Sequence, residues 1–486
     1  MQTIQEGIQL IATEVAKLQA VSGWTGSPRA LLVGGYVRDM LLEVETDDAD
    51  IEIYGLEPQR LEELLQRLFV GRVHLVGRQF GVFHIPCSNG TLDVAIPRRE
   101  SKIAAGHRGF EVTGDPTMSF EDAARRRDFT INAIFQDPLT KELIDPYNGQ
   151  EAIRLRQLRV VNTQTFIEDP LRLYRAAQFV ARFGLDIEGE TLELLKTMNK
   201  NGSLDELPSE RITDELKKLL LSDKPSLGFE MLKTTGVIDR YHPELAKLKE
   251  TPQEPEWHPE GDVWIHTMMV IDQAALLSTR DNLTPSQKLQ CVLGALCHDL
   301  GKALTTAPQE KDGIIRMRSL GHEKAGVEPT RTLLSRFTFG EDVNLFCEYV
   351  AHYHLQPTAL FREWEKGNLS EGGYENAVRK FLKKILPYDW KIFLLCCEAD
   401  YRGRTLPDIE NDPFEIGKKF YDTVQTFNLD AAAKTLLVTG EELIQLGVQP
   451  GKHLGNLLRT VENERDSGRI KTKEEALAFL QQEGLL

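Results

Sequence analysis

The sequence predicts an α+β chain: a mixed α/β N-terminal region, to about residue 150, followed by helices. Three observations carry that reading. Short apolar runs of strand length, some alternating with polar residues, fill residues 30–97. Beyond residue 150 the apolar residues recur every three or four positions, as on one face of a helix. The chain has 486 residues, of which 41% are hydrophobic. That is enough for about three domains with packed cores, and too apolar for global disorder.

The elements follow in order. Ile4, Ile8, Ile11, Val15 and Leu18 lie at helical spacing, so residues 2–20 form an amphipathic helix closed by the loop SGWTGSPR (22–29). ALLVGG (30–35) is a short buried strand running into glycines, and VRDMLLEV is helical. DADIEIYGL (48–56) alternates as a half-buried strand does; HLVGRQFGVFHIP (74–86) and GTLDVAIP (90–97) are further strands. LRLYRAAQFVARFG (171–184) is a helix with Gly184 as its C-cap, and SERITDELKKLLL (209–221) is one with Ser209 as its N-cap. KETPQEPEWHPEGD (249–262) is a linker or rim loop. KLQCVLGALCHDLGK (288–302) is a helix with Leu289, Val292, Leu293 and Leu296 inward. Residues 437–486 carry two Gly-rich turns and then a charged amphipathic helix.

Composition excludes several classes. Lys and Arg number 58 against 74 Asp and Glu, a net charge of −16, so the chain is not coated in positive charge. A local basic strip can still work on an acidic body. Cys87, Cys291, Cys297, Cys347, Cys396 and Cys397 contain no C-x-x-C pair, which argues against a zinc knuckle or a disulfide framework. The first residues lack a basic flank followed by an apolar run, and no apolar stretch reaches 18 residues. The expectation is a soluble cytoplasmic protein without a membrane partner.

The first chemical cluster begins at Gly34 and Gly35. Glycines between a strand and a helix let the backbone approach a phosphate, and the free amides at the helix start face an anion. Asp48 and Asp50, two apart on a strand, share one face with Glu52. Two such carboxylates call for a cation, and hard oxygen ligands beside phosphate suit Mg²⁺. Asp93 is a third candidate carboxylate on another strand. A basic stretch follows, with Arg98, Arg99, Lys102, His107 and Arg108 in one loop-like segment and Arg125, Arg126 and Arg127 ahead of Asp128 and Asn132. Asp128 and Asn132, which share one face if this segment is helical (i and i+4), suit a ribose, and the arginines suit a triphosphate or an RNA backbone. In EDPLR, Asp169 and Arg172 are i and i+3 near a helix start. They can pair, and such a pair can match the edge of a base or serve as an ordinary ion pair.

These segments together resemble the class II tRNA nucleotidyltransferases and bacterial poly(A) polymerases. LLVGGYVRDMLL with DADIEIYGL, RRRDFTINAIFQDP, IDPYNGQEAI, EDPLRLYRAAQFVARFGL and LPSERITDELKKLL follow the family's motif order over residues 30–221. The resemblance implies that Asp48 and Asp50 bind Mg²⁺ and that Asp93 matches an acidic position before a flexible loop. It implies that Gly34, Gly35 and Arg38 hold the triphosphate, Asp128 the ribose and Arg127 the phosphates. Asn132 and Arg175 join the nucleotide site, where Asp169 and Arg172 read cytosine or adenine edges. Two departures stand out: Glu43 where many members have Gly, and about 30 residues ahead of the Gly-Gly strand.

A second cluster is made of histidines. Six of 11 lie within residues 258–354: His258, His266, His298, His322, His352 and His354. Mixed His and Asp ligation from separate helices suits Mn²⁺, Fe, Ni²⁺ or Zn²⁺ better than Mg²⁺. This segment is similar to the HD phosphohydrolase superfamily. HPEGDVWIHT supplies His266, CHDLGK supplies His298 and Asp299, SLGHEKAG supplies His322, VAHYHLQP supplies His354 or His352, and EADYRG supplies Asp400. The resemblance implies a metal site hydrolysing a phosphate ester; a degenerate domain would serve only as an RNA-binding body. VTGEELIQLGVQPGKHLGNLL (438–458) resembles the family's C-terminal segment, with Gly447, Pro450, Gly451 and Gly455 shaping a turn.

The expected domains are a helical extension (1–28), a nucleotidyltransferase head (29–160), a neck that selects the nucleotide and binds RNA (161–225), an HD domain (226–430) and a helical tail (431–486). The expected activity is addition of CCA to tRNA from CTP and ATP. A poly(A) polymerase and an A-adding or CC-adding enzyme share the same head. A metal phosphohydrolase that uses the head to bind RNA is the alternative of another class. The sequence leaves oligomeric state unread.

Overall fold

The computed structural model describes all residues except 77–80, 103–109, 312, 408, 410, 428, 430–435, 467, 468 and 486. The chain divides into two compact units, residues 1–211 with 234–236, and residues 212–233 with 237–486.

In the first unit, α1 (Ile4–Val15) opens on a capping box in which Thr3 and Glu6 satisfy each other's backbone N–H. Then come β1 (Arg29–Val33), α2 (Gly35–Leu41), β2 (Asp48–Tyr54), α3 (Pro58–Leu68), β3 (His74–Val76), β4 (Val82–Cys87) and β5 (Gly90–Ala95). β6 (Arg98–Lys102), β7 (Phe110–Gly114), α4 (Phe120–Arg125), a 3₁₀ turn (Thr130–Asn132), β8 (Phe135–Gln136) and β9 (Leu143–Ile144) complete the mixed part. Among the described residues the main sheet has the order β3-β4-β5-β2-β1-β8-β9. The β2–β5 pair is parallel, and its other neighbours are antiparallel.

Period-2 alternation sorts the strands onto two faces. Ala49, Ile51, Ile53, Leu92 and Val94 pack with Ile4, Ile8, Ile11 and Val15 of α1 and Leu61, Leu64 and Leu65 of α3. The N-terminal extension is therefore part of this core, each large aliphatic side chain contributing about 1.5–3 kcal/mol on burial. The opposite face carries Leu31, Val33, Tyr54 and Phe135 against Met118, Ala123 and Ala124. Asp48, Asp50 and Asp93 lie on that second face, beyond its apolar part. Glu43 sits just after α2 with φ +57, a left-handed conformation that explains why glycine suits the position.

The unit continues with α5 (Gly149–Arg154), β10 (Gln157–Leu158), α6 (Thr163–Phe166), α7 (Arg172–Phe183), β11 (Asp186–Ile187), α8 (Gly189–Lys200) and the start of α9 (Ser209–Leu220). Gly184 caps α7 in the left-handed conformation. Ser209 is the first residue of α9, one position inside its expected role as cap.

The second unit adds α10 (Pro225–Thr234), α11 (Val237–Tyr241), α12 (Pro243–Ala246), α13 (Val263–Arg280), α14 (Pro285–Cys297), α15 (Lys302–Thr305), β12 (Ala307–Lys311) and β13 (Ile314–Arg318). After these come α16 (His322–Ala325), α17 (Val327–Leu334), α18 (Glu341–Tyr353), α19 (Gln356–Glu365), α20 (Glu371–Ile385), α21 (Trp390–Arg402) and α22 (Glu415–Thr426). The tail helices α23 (Gly440–Gln445), α24 (Lys452–Asp466) and α25 (Lys473–Gln482) close their own core through Leu443, Leu457, Val461 and Leu480.

Four expectations are corrected. The chain is not wholly helical after residue 150: β10 pairs with β11, and β12 with β13. The Asp312-Gly313 dipeptide in the sequence is the hairpin signal for the second pair. Residues 98–102 and 110–114 form an antiparallel pair instead of a loop, while His107 and Arg108 lie outside the described residues. Asn132 sits in a 3₁₀ turn, not on an α-helix with Asp128. In the tail, Gly447 and Gly451 occupy turns at positive φ, whereas Gly455 lies inside α24.

Candidate functional site

The parallel register sets Asp50 opposite Asp93, and Asp48 opposite Thr91. Neighbouring strands are about 4.8 Å apart, so the three carboxylates form one cluster across two strands. The Thr91 hydroxyl donates to Asp48 Oδ1 at 2.8 Å, and His84 Nδ1 meets Asp93 Oδ1 at 2.8 Å. The protein packed around Asp50, together with Asp48, Asp93 and Glu52, pushes its carboxyl up to about 6 against the pull of Arg127. A carboxyl so buried, with like charges beside it, is one whose ionised form a divalent cation would stabilise.

Glu52 does not join that cluster as a ligand. It is 6% exposed and accepts from Arg126 Nη2 at 2.9 Å, Arg127 Nη2 at 3.0 Å and the Tyr54 hydroxyl at 2.7 Å. Burial would raise its carboxyl, but the two guanidiniums outweigh burial and hold it below the usual range. Arg127 is thereby fixed against the glycine turn. A Cβ on Gly34 would lie 2.7 Å from Arg127 Nη1 and 3.5 Å from Asp50 Oδ2, and Gly34 has φ +66. Only glycine leaves room there for a guanidinium and a ligand beside the carboxylates.

Behind the turn lies a buried polar chain. Asp128 accepts from Asn132 Nδ2 at 2.8 Å and from the Phe129 N–H at 2.8 Å through Oδ1, and from Arg175 Nε at 2.8 Å through Oδ2. Burial alone would raise the Asp128 carboxyl; Arg175 and Asn132 hold it low. Arg38, expected to touch triphosphate, is 5% exposed, donates to Asp39 at 2.7 Å and to Asn132 Oδ1 at 2.7 Å, and stacks under Phe183. Gly35 is the first residue of α2, beside Arg38.

Asp169 and Arg172 do not pair with each other, contrary to the i, i+3 expectation. Arg172 begins α7 and donates to the carbonyls of Thr165 at 3.0 Å and Arg126 at 2.8 Å. Asp169 accepts from the Leu171 N–H at 3.2 Å and pairs with Arg211 Nη2 at 3.1 Å. Arg211 lies on α9, 42 residues away, and no local signal marks it.

The second unit gathers His298, His322 and His354 at helix ends around His266, which lies inside a helix. His266 projects from α13, His298 caps α14 ahead of Asp299, His322 opens α16, His354 caps α18 and Asp400 lies on α21. Their Nε2 atoms converge on Asp299. His298 is 3.1 Å and His266 3.7 Å from Asp299 Oδ2, and His266 is 3.1 Å from Asp400 Oδ1. His322 is 3.3 Å and His354 3.7 Å from Asp299 Oδ1, and their Nε2 atoms are 3.3 Å apart. Two ligands about 2.1 Å from one ion lie about 3.0–3.4 Å apart at octahedral to tetrahedral angles. The closest of these distances fit that spacing, with Asp299 offering one oxygen to each half of the cluster.

The other ring nitrogens are tied down. Nδ1–H donates to Ala295 O in His298 (2.7 Å), to Ser319 O in His322 (2.7 Å) and to Ala351 O in His354 (3.1 Å). Such bonds aim Nε2 at a metal. Among the described residues, His298 Nε2 and both Asp299 oxygens are buried without a well-directed hydrogen bond. Lys302 Nζ stands 2.6 Å from Asp299 Oδ2. Burial would raise the Asp299 carboxyl, but His298 and Lys302 hold it well below the usual range, and burial presses His354 down to about 3. Burial would lower His298 and His322 as well, but Asp299 holds both above the usual imidazole range, so a cation, which binds the neutral imidazole, would displace their protons. His352 lies apart, edge-on to Tyr353 at 4.2 Å.

Sequence reasoning missed Glu260. Its Oε1 accepts from His266 Nδ1 at 2.9 Å and from His258 Nδ1 at 2.8 Å. Burial would raise its carboxyl; the two imidazoles outweigh burial and hold it low. Glu260 and Asp262 between the two histidines of HPEGDVWIHT were the available signal.

Three family models match segments of the chain. The Poly A polymerase head domain matches residues 30–159, the "probable RNA and SrmB-binding site of polymerase A" residues 184–249, and the HD domain residues 263–378. The crystal structure of the Bacillus stearothermophilus CCA-adding enzyme in complex with CTP is similar in fold, with a TM-score of 0.64 and 20% identity, covering 99% of this chain and 98% of that one. The multifunctional CCA protein of Pasteurella multocida (strain Pm70) is 38% identical over 377 residues, 77% of this chain and 84% of that protein. That of Stenotrophomonas maltophilia (strain K279a) is 36% identical over 425 residues, 86% of this chain and 98% of that protein. Sharing more than a third of aligned residues over most of both lengths, the chain belongs to the family of the multifunctional CCA proteins.

Proposed function

We propose that this chain is a tRNA nucleotidyltransferase that completes the 3′ CCA end from CTP and ATP, and that its second unit is a metal-dependent phosphohydrolase. The observation that carries the first half is the register that sets Asp93 beside Asp50, two residues from Asp48 and next to the Gly34 turn. Asp48 and Asp50 hold Mg²⁺, with Asp93 alongside. When bound, the ion neutralises phosphate charge and favours ionisation of the RNA 3′ hydroxyl, which attacks the α-phosphate as pyrophosphate leaves.

The chain's own groups position the reactants. Arg127 and the amides of Gly34 and Gly35 take the triphosphate. Asp128 and Asn132 face the ribose, braced by Arg175. Arg38 acts from behind by holding Asn132. Asp169 and Arg172 read the base, which replaces Arg211 at Asp169. We keep the domain plan drawn from the sequence: helical extension 1–28, head 29–160, neck 161–225, HD domain 226–430 and tail 431–486.

In the second unit His266, His298, Asp299 and Asp400 would hold a divalent cation such as Mn²⁺, Ni²⁺, Fe or Zn²⁺, with His322 and His354 on the other side of Asp299 as further candidate ligands. The metal, when bound, supplies a hydroxide at neutral pH. We place the protein in the cytoplasm: the six cysteines are free thiols, and no described helix is long and apolar enough to cross a membrane.

The test is nucleotide incorporation with Mg²⁺ on tRNA transcripts ending before CCA, after C and after CC. Completion to CCA on all three supports the proposal. Addition to the CC-ended transcript alone, or long A tails, reassigns the chain to an A-adding enzyme or a poly(A) polymerase. Asp48→Ala with Asp50→Ala should abolish incorporation and leave phosphate-ester hydrolysis. His298→Ala with Asp299→Ala should do the reverse. Hydrolysis with no incorporation by the wild type makes the chain a phosphohydrolase that uses its head to bind RNA.

A further inference from the structure

Glu260 lies in the Pro- and Glu-rich loop that precedes α13, a segment with no assigned chemistry. Its carboxylate is 1% exposed, as buried as that of Asp299. Fully buried carboxylates are rare unless paired, and this one sits between two imidazoles. Glu260 Oε1 receives the Nδ1–H of His266 at 2.9 Å and of His258 at 2.8 Å, and Oε2 lies 3.4 Å from the Thr405 N–H. One carboxylate therefore ties together the loop 249–262, α13 and the segment that follows Asp400 on α21.

The contrast with the other ring nitrogens gives the arrangement its meaning. His298, His322 and His354 are each oriented by a backbone carbonyl three residues earlier. His266 is in the interior of α13, four residues after the N-cap Asp262, and its Nδ1 meets a side-chain carboxylate from outside the helix. A carbonyl orients an imidazole. A carboxylate also makes it a stronger donor, because it stabilises positive charge building on the ring when Nε2 binds a cation. His258 is held by the same oxygen with its ring edge-on to His266 at 4.7 Å, so the loop keeps both rings in one tautomer.

Resting on the reading of the histidine cluster as a metal centre, we propose that Glu260 is the positioning residue of that centre. It fixes the Nδ1–H tautomer of His266, aims its Nε2 at the cation shared with His298, Asp299 and Asp400, and raises the affinity of that half. Its Oε1 is shared by two N–H donors, which places it behind the His266 ring, on the side away from Asp299 and Asp400.

The experiment is titration of the metal-free full-length protein with Co²⁺, followed by visible absorbance and calorimetry. It compares wild type, His266→Ala, Glu260→Gln and Glu260→Asp, and records melting of each protein without metal. The expected result is that Glu260→Gln weakens by about 10–100-fold the same binding step that His266→Ala removes. Glu260→Asp, which keeps the charge, recovers part of the loss, and the metal-free melting temperatures agree. A Glu260→Gln isotherm that superimposes on wild type overturns the proposal. So does a loss of affinity matched by collapse of the metal-free fold in both Glu260 variants, which would make Glu260 a packing residue. Absence of Co²⁺ binding by the wild type overturns the metal reading itself, and this proposal with it.

Discussion

Changing Gly34 to alanine is the sharpest probe of the head, because its neighbour supplies the control. The added methyl would sit 2.7 Å from Arg127 Nη1, well inside contact distance, on a backbone with φ +66 and ψ −130. Holding a non-glycine residue in such a region costs about 1–3 kcal/mol. Relief requires Arg127 to move, which breaks its 3.0 Å bond to Glu52, a charge-assisted contact worth about 1.5–3 kcal/mol. For a unit of this size the backbone cost alone lowers the melting temperature by roughly 2–12 °C. If Arg127 holds the triphosphate, the KM for CTP should rise roughly tenfold, the equivalent of about 1.4 kcal/mol. At Gly35 the nearest atom to an added Cβ is Arg38 Nη2 at 3.4 Å, and the residue is helical. Gly35→Ala should therefore stay within about 1 kcal/mol of wild type, since alanine favours a helix by about that amount. The assays are thermal melting and incorporation kinetics at varied CTP. A Gly34→Ala protein as stable and as tight for CTP as wild type, or a Gly35→Ala protein that is the worse of the two, refutes the reasoning.

The carboxyl of Asp50, pushed up to about 6, keeps a proton in the folded head that the unfolded chain has already lost above about pH 4. Its contribution to stability is present at low pH and lost as pH rises through about 6; melting of the metal-free protein should show that slope, and Asp50→Asn should remove it. A bound cation displaces the same proton, so the Mg²⁺ needed for incorporation should increase about tenfold per pH unit below 6. Asp128 is the opposite case. Its carboxyl is held low by Arg175 and Asn132, so its contribution is present at neutral pH and lost in acid, and Asp128→Ala should cost about 3–5 kcal/mol in urea unfolding of the head. His354→Ala should weaken Co²⁺ binding while His352→Ala does not, measured by calorimetry. Glu43→Gly, which removes a left-handed non-glycine residue, should raise stability by up to about 1 kcal/mol in thermal melting.

Much of this protein is decided by the order of its residues. Period-2 alternation in DADIEIY is enough to put Asp48 and Asp50 on one face, because side-chain direction in a strand is a local property. Helical spacing likewise marks α1, α7 and α14, and a glycine pair between strand and helix marks the turn above the carboxylates. Local geometry also misleads. Sequence spacing suggested that Asp169 and Arg172 pair, yet Arg172 turns to two carbonyls and Asp169 to Arg211. Glu52 shares the alternation of Asp50, but Arg126 and Arg127 cover it and remove it from the metal face. Partners brought from 42, 74 and 75 residues away leave no periodic trace in the chain.

The same division holds for the histidine cluster. Residue types mark a histidine-rich segment, and its resemblance to the HD superfamily nominates His266, His298, Asp299, His322 and Asp400 and leaves His352 and His354 open. Only packing chooses, by burying His354 at the end of α18 with its Nε2 on Asp299 while His352 turns to Tyr353. Only packing brings Glu260 behind His266. Which side chains can carry charge chemistry is written in composition and period. Which of them meet depends on long-range burial, because a buried charge persists only where the fold supplies its partner.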